Sequence, residues 1–408
     1  MKIKRVPEDF QVFELAEIAS GPRGPQGLYE LEKRGLSTFE AIRELARHLK
    51  RSPRTISAGG LKDKHAVTRQ LITISGKPVK PLRMKGLKLT PRGRTETAIT
   101  GAHLRGNRFR IVLRELPAEM LETLLARARL AAEGGLPNYF DEQRFGSLRG
   151  GEGFIARKLI DGDFETGLRL HLAAPSRLDS SGQRARRKRL AELWGKWDEA
   201  FAVLPRGNER SVVNYLRDHP LGFKRAFELI ERRLAQLYLF AYQSYIWNEI
   251  LAGVLRRRSP ADKTFDVRYA PGRLLFCAGP TRESLGSLAG VGIPLPSKKA
   301  EYPDGDVADA AAEALSSEGL TLEQFRLRGM KRLRFRAGER VPLVRPAGLK
   351  CSAPQPDEIY EGRHKLRLEF EMPPGAYATI VLKYVGRELL PGSRASRASR
   401  GRHRSRRR

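Results

Sequence analysis

Residues 37–50, STFEAIRELARHLK, place Ile42, Leu45, Ala46 and Leu49 at the 3.6-residue spacing of one helical face, behind a Ser37-x-x-Glu40 capping box. That spacing predicts an amphipathic helix. Downstream, VTRQLITIS (67–75) is rich in Val, Ile and Thr and reads as a strand, as does NRFRIVLREL (107–116). Leu121, Leu124, Leu125 and Ala128 repeat along a second helix, predicted from about Ala118 to Glu133 and closed by Gly134-Gly135. From about 151 to 335 the pattern shifts to longer helical stretches, among them FKRAFELIERRLAQLYLFAYQSYIWNEILAGVLRRR and DVADAAAEAL. The run SSGQRARRKR (180–189) reads as a solvated basic loop or a helix start. Strand character returns in LRLEFEM, where Leu366, Leu368, Phe370 and Met372 alternate with charged residues. PPG then breaks the chain, and AYATIVLKYV is expected to begin a further strand. Strand patterns at both ends thus flank a helical middle, the pattern expected of a chain that mixes α and β elements.

Composition narrows the partners. The 408 residues are 40% apolar and 30% charged, enough for two or three folded domains. Lys and Arg number 77 against 46 Asp and Glu, a net charge of +31, which sets up a field that favours polyanions. Nucleic acid fits better than a membrane surface. The opening MKIKRVPEDF has no apolar signal-peptide core, and no apolar run approaches the ~20 residues of a span. A soluble, cytoplasmic protein is expected. Residues 391–408, PGSRASRASRGRHRSRRR, hold eight arginines and read as a disordered basic arm. Two cysteines, Cys277 and Cys351, exclude a disulfide framework, and the seven histidines are scattered, so no metal site is expected. There is no P-loop, no G-x-G-x-x-G after a strand and no G-x-S-x-G elbow.

One carboxylate stands out in so basic a chain: Asp63, in SAGGLKDKHAVTRQ (57–70). It reads either as a turn residue capping nearby backbone N–H groups or as a catalytic group. Placed before a strand, it belongs in a turn or at a strand mouth. If the segment is extended, Lys62 and Lys64 project away from Asp63, and a functional carboxylate needs a cation from elsewhere. In PNYFDEQRFG (137–146) the aromatics Tyr139, Phe140 and Phe145 are interleaved with Asn138, Gln143 and Arg144. This is either an aromatic core behind a helix end or a stacking surface whose amide and guanidinium groups read an extruded base. On one helix Tyr242, Tyr245 and Trp247 cannot share a face, so at least one packs in the core.

Together these segments resemble the TruD family of tRNA pseudouridine synthases. AGGLKDKHAVTRQ is similar to the family's A-G-x-K-D-K-x-A-x-T-x-Q signature apart from one additional glycine, and VPEDFQVFE to its P-E-D-F-x-V-x-E opening. LRGNRFRIVLR, PNYFDEQRFG, YQSYIWNEIL and MPPGAYATIVLKY follow in family order, so the resemblance runs from residue 6 to about 385. Asp141, Glu142, Trp247 and Lys383-Tyr384 depart from the family pattern.

The resemblance implies a pseudouridine synthase fold with a large, mainly antiparallel central sheet and an inserted family-specific α/β domain. The boundaries it implies are 1–150 and 336–390 for the catalytic domain, 151–335 for the insertion, and 391–408 for the tail. It implies conversion of uridine to pseudouridine in tRNA, in bacterial members at position 13, by a monomer without cofactor, metal or membrane. Asp63 falls on the catalytic aspartate, Lys4 on the basic residue that pairs with it, Phe140 on the aromatic that stacks on the base, and Asn138 on its neighbour. Lys62, Lys64, Gln70, Gln143, Arg144 and Asn248 are the further RNA-binding candidates. The rival reading from charge and aromatics alone is a non-catalytic RNA-binding or ribosome-associated protein.

Overall fold

The computed structural model describes residues 1–149, 152–176, 179–303, 305–330 and 332–390. The arginine-rich segment 391–408 lies outside the described residues. Two compact units divide the chain: Met1–Leu136 with the described residues from Val344 on, and Pro137–Leu343. The segment PNYFDEQRFG therefore belongs to the second unit.

The first unit is built on a ten-stranded mixed sheet. Its N-terminal strands are β1 (Phe10–Ala16), β2 (Gln26–Arg34), β3 (Ile56–Ala58), β4 (Val67–Ser75), β5 (Leu82–Met84), β6 (Leu87–Thr95) and β7 (Leu104–Leu116). Their order is β7-β1-β4-β2-β6-β5, with β3 paired to one end of β4 and the C-terminal strand His364–Met372 added beside β7. Neighbours are antiparallel except β1 and β4, which run parallel with Gln11 opposite Val67. Parallel strands enter the sheet from the same end. The segments leading into β1 and β4, which carry Lys4 and Asp63, therefore arrive at the same end of the sheet.

Both helices predicted from the sequence pattern in this unit are present. Helix α1 (Thr38–His48) opens on the capping box between Ser37 and Glu40. It buries Ala41, Leu45 and Ala46 against Tyr29, Leu31, Ile72, Ile74 and Leu89. Each of the fully buried Leu and Ile side chains contributes roughly 1.5–3 kcal/mol. Helix α2 (Leu121–Gly134) ends at Gly135, whose φ of 68° favours glycine.

One expectation is corrected. AYATIVLKYV does not form a strand; Ala378–Val385 is an α-helix packed on α2. Ala378, Val381, Leu382 and Val385 recur at helical spacing and are buried, but a short, nearly continuous apolar run carries strand and helix periods together. The basic run at 180–189 also resolves: Ser180 caps a helix over Ser181–Glu192.

The second unit is mainly helical around Arg232–Arg258, a 27-residue helix buried along most of its length. Tyr242 and Trp247 lie in its core and Tyr245 is half-buried. Among the described residues no helix is long and apolar enough to cross a membrane, and no group of His, Cys, Asp and Glu could hold a metal ion.

Candidate active site

The loop between β3 and β4 is held from three sides. Gly59 packs so closely that an added Cβ would sit 3.1 Å from the Thr100 carbonyl oxygen and 2.8 Å from Leu104 Cδ2. The Gln70 amide, buried on β4, donates to the Gly60 carbonyl at 3.1 Å and accepts from Thr38 Oγ1 at 3.2 Å. Thr38, at the start of α1, in turn accepts from the Lys62 N–H at 2.9 Å. Asp63 closes an Asx turn on itself, its Oδ1 accepting the His65 N–H at 3.3 Å.

The lysines on either side of Asp63 look elsewhere. Lys62 pairs with Glu14 of β1, both side chains nearly inaccessible, and Lys64 pairs with Glu40 of α1 at 2.7 Å. Glu14 also accepts the Leu71 N–H at 3.2 Å. The cation that meets Asp63 is Lys4, whose Nζ bonds Asp63 Oδ2 while lying 4.1 Å from the centre of the Phe10 ring. Lys4 has a φ of 57°, an unusual backbone for a side chain of its size. The next residues hold that turn: the N–H groups of Arg5 and Val6 donate to Asp9 Oδ2 at 3.0 and 3.1 Å. Asp9 is buried against Arg114, which also binds Asp357 and Glu358.

The pair remains partly open to solvent, with about a quarter of the Lys4 and a third of the Asp63 side chain accessible. Burial alone raises the Asp63 carboxyl, but the Lys4 charge and hydrogen bond, with the His65 N–H, outweigh it and leave its pKa below the ordinary range. Asp63 is thus ionised, oriented and reachable, which a carboxylate nucleophile or base requires. The backbone carbonyl of Asp63 accepts from Lys33 Nζ at 2.7 Å, and Lys33 is fully buried. The sequence reading missed Lys33, Glu14 and the Asp9–Arg114 pair. A signal for Lys33 exists in LYELEK, where it falls in phase with Tyr29 and Leu31 on the inward row of β2.

The remaining candidates sit in the second unit and form their own cluster. Asn248 clamps Phe140 by accepting its N–H and donating to its carbonyl, both at 2.9 Å. The Phe140 ring is 7% exposed, with the Arg340 guanidinium 4.2 Å from its centre and Trp247 edge-on at 5.6 Å. Arg340 donates to the carbonyl and to Oδ1 of Asn138, each at 2.6 Å, and Asn138 donates to the Val341 carbonyl. The Arg144 guanidinium lies 5.5 Å from the Phe140 ring, and Gln143 is exposed. Asp141 is fully buried, so this departure from the family pattern presents no charge to solvent. Among the RNA-binding candidates, the Lys62 side chain, Gln70 and Asn248 are buried in internal bonds, whereas Lys64, Gln143 and Arg144 reach the surface.

Comparison with known proteins covers nearly the whole chain. The family model tRNA pseudouridine synthase D (TruD) matches residues 1–269 and 279–385. A relative from Methanococcus maripaludis bearing the name tRNA pseudouridine synthase D 1 is 30% identical over 391 residues, 94% of this chain and 99% of its own. One from Methanocaldococcus jannaschii, bearing the name tRNA pseudouridine synthase D 2, is 32% identical over 388 residues, 94% of this chain and 91% of its own. A Methanosarcina mazei crystal structure under the tRNA pseudouridine synthase D (TruD) name superposes with a TM-score of 0.71 at 27% identity, covering 94% of this chain and 92% of that one.

Proposed function

The chain belongs to the tRNA pseudouridine synthase D (TruD) family, and from that premise we propose that it isomerises uridine to pseudouridine in tRNA, at position 13, with Asp63 as the reacting carboxylate. The observation that carries the reading is the Asp63–Lys4 pair at the mouth of the two parallel strands. In the reaction the N1–C1′ bond of the uridine breaks, C5 bonds to C1′, C5 gives up its proton and N1 takes one. The product is an isomer, so the atoms and electrons balance without a redox partner. An ionised Asp63 fits two courses: covalent attack on the nucleoside, or removal of a proton from the sugar. In both, Lys4 keeps the carboxylate charged and aimed. The tRNA is held mainly through its phosphates by a chain of +31 net charge.

Phe140, supported by Asn138, is the proposed platform for the extruded base. Base–aromatic stacking contributes about 1–3 kcal/mol, so Phe140→Ala is expected to lower turnover about tenfold while bulk tRNA binding changes less. Unchanged turnover removes Phe140 from the proposal.

The test is position mapping. An unmodified tRNA transcript is incubated with the protein and its pseudouridines are located by sequencing. The expected outcome is modification at position 13 by the wild type and none by Asp63→Asn. Tight tRNA binding with no pseudouridine at any position, in tRNA or total RNA, supports the non-catalytic RNA-binding reading instead.

A further inference from the structure

Lys33 lies on the inward row of β2, fully buried, beside the cross-strand residues Thr68 and Leu87. Neither neighbour can neutralise an ammonium group. The acidic groups that act on it are committed to other lysines, Asp63 to Lys4 and Glu40 to Lys64. Its Nζ instead donates to two main-chain carbonyls, that of Leu36 at 2.6 Å and that of Asp63 at 2.7 Å. Burying an ammonium without a carboxylate partner works against folding. A methionine or leucine in the same row would extend the Tyr29–Leu31 apolar surface without that cost. The position therefore needs another reason to hold a lysine, and its bonds name the loop it serves.

We propose that Lys33 is a positioning residue for the reaction: it ties the Asp63 main chain to the turn at Leu36 and so fixes the direction in which the Asp63 carboxylate leaves the loop. The assignment rests on the Asp63 reading. The carbonyl and the side chain of Asp63 branch from one Cα, with Lys33 gripping the first and Lys4 the second. Loss of the inner grip lets the backbone rotate, and a displacement of about 1 Å at a reacting group can cost on the order of a hundredfold in rate.

The charge of Lys33 supplies an independent handle. Burial pulls its pKa down from 10.5 to about 8, against the raising effect of Asp63 and Glu40 and with the lowering effect of Lys62. Between pH 8 and 10.5 the unfolded chain then holds more protons at this site than the folded one, so the Lys33 contribution to stability rises with pH. Turnover should move the other way, because the neutral amine makes weaker hydrogen bonds to the two carbonyls. A purely structural lysine would make rate follow stability.

The experiment compares wild type, Lys33→Met, Lys33→Arg and Asp63→Asn in single-turnover pseudouridine formation on tRNA, with thermal unfolding and tRNA binding measured across pH 7–10. Lys33→Met is expected to lose at least tenfold in rate, with a melting temperature at or above wild type and a tRNA Kd within twofold. Relative to wild type, Lys33→Arg is expected to lack the extra decline in rate above pH 8; ionisation of the substrate is common to both. If Lys33→Met turns over at the wild-type rate, or slows only as far as it unfolds, the assignment is overturned, whether or not the arginine variant folds. An active Asp63→Asn overturns the Asp63 reading and the Lys33 assignment with it. An inactive Asp63→Asn beside a fully active Lys33→Met overturns the Lys33 assignment alone.

Discussion

Asp63 and Lys4 come from positions 59 residues apart, yet each controls the other's chemistry. Lys4 supplies the largest effects opposing the upward pull of burial on the Asp63 carboxyl. An Asp whose pKa is lowered by the fold is active above that pKa and lost as pH falls through it. Lys4→Met should therefore move the acid limb of the rate profile to higher pH as well as lower the maximum, measurable as single-turnover rate from pH 3.5 to 7. A variant whose limb stays where the wild type has it would mean that Lys4 does not hold the Asp63 charge. At this scale much was legible in the residues: Asp63 stood out as a lone acid between lysines, and Lys4 followed from the family motif. Lys33, Glu14 and Gln70 were harder to read because their roles depend on burial. A buried amide or ammonium looks like any other polar letter until its strand register is known.

At the level of elements, the parallel β1–β4 pair positions the site and the Glu14–Lys62 ion pair locks the Asp63 loop to it. Removing one partner of a buried pair leaves the other charged and unpaired, at about 3–5 kcal/mol. Glu14→Ala is expected to destabilise the protein by that amount in urea unfolding, and Glu14→Met with Lys62→Met to recover most of it. If the single and double variants are equally destabilised, the pair is not what matters at this position. Gly106 on β7 is a second sensitive point. Its φ is 158°, and an added Cβ would collide with the Met372 carbonyl oxygen of the neighbouring strand. Gly106→Ala should therefore loosen the attachment of His364–Met372 to the sheet and lower the melting temperature. Helix α1 and strand β4 were legible almost to the residue, since a capping box and a β-branched run are local signals. The Ala378–Val385 helix was not, because eight mostly apolar residues satisfy both periods and only packing on α2 decides between them.

Over the whole molecule, strands from both ends of the chain build one sheet, and a largely helical unit interrupts them. Strand patterns at both ends and a helical middle were legible in the residues, whereas the single sheet with an insertion came from the family resemblance. The strand order did not follow from them, since pairing between remote segments such as β7 and His364–Met372 depends on long-range register. The charge of +31 predicts that tRNA affinity falls steeply with salt. Eight of the arginines lie in residues 391–408. Truncation at 390 should weaken binding and flatten the slope of log Kd against log salt without abolishing turnover, and an unchanged slope would deny the tail a part in binding. The expectations about turnover presuppose that Asp63 reacts. Its most direct test is release of tritium from uridine C5 of an unmodified tRNA under single-turnover conditions, with wild type and Asp63→Asn both saturating the RNA. The account predicts one equivalent of label released by the wild type and none by Asp63→Asn, at equal tRNA affinity; release by Asp63→Asn at the wild-type rate would contradict it.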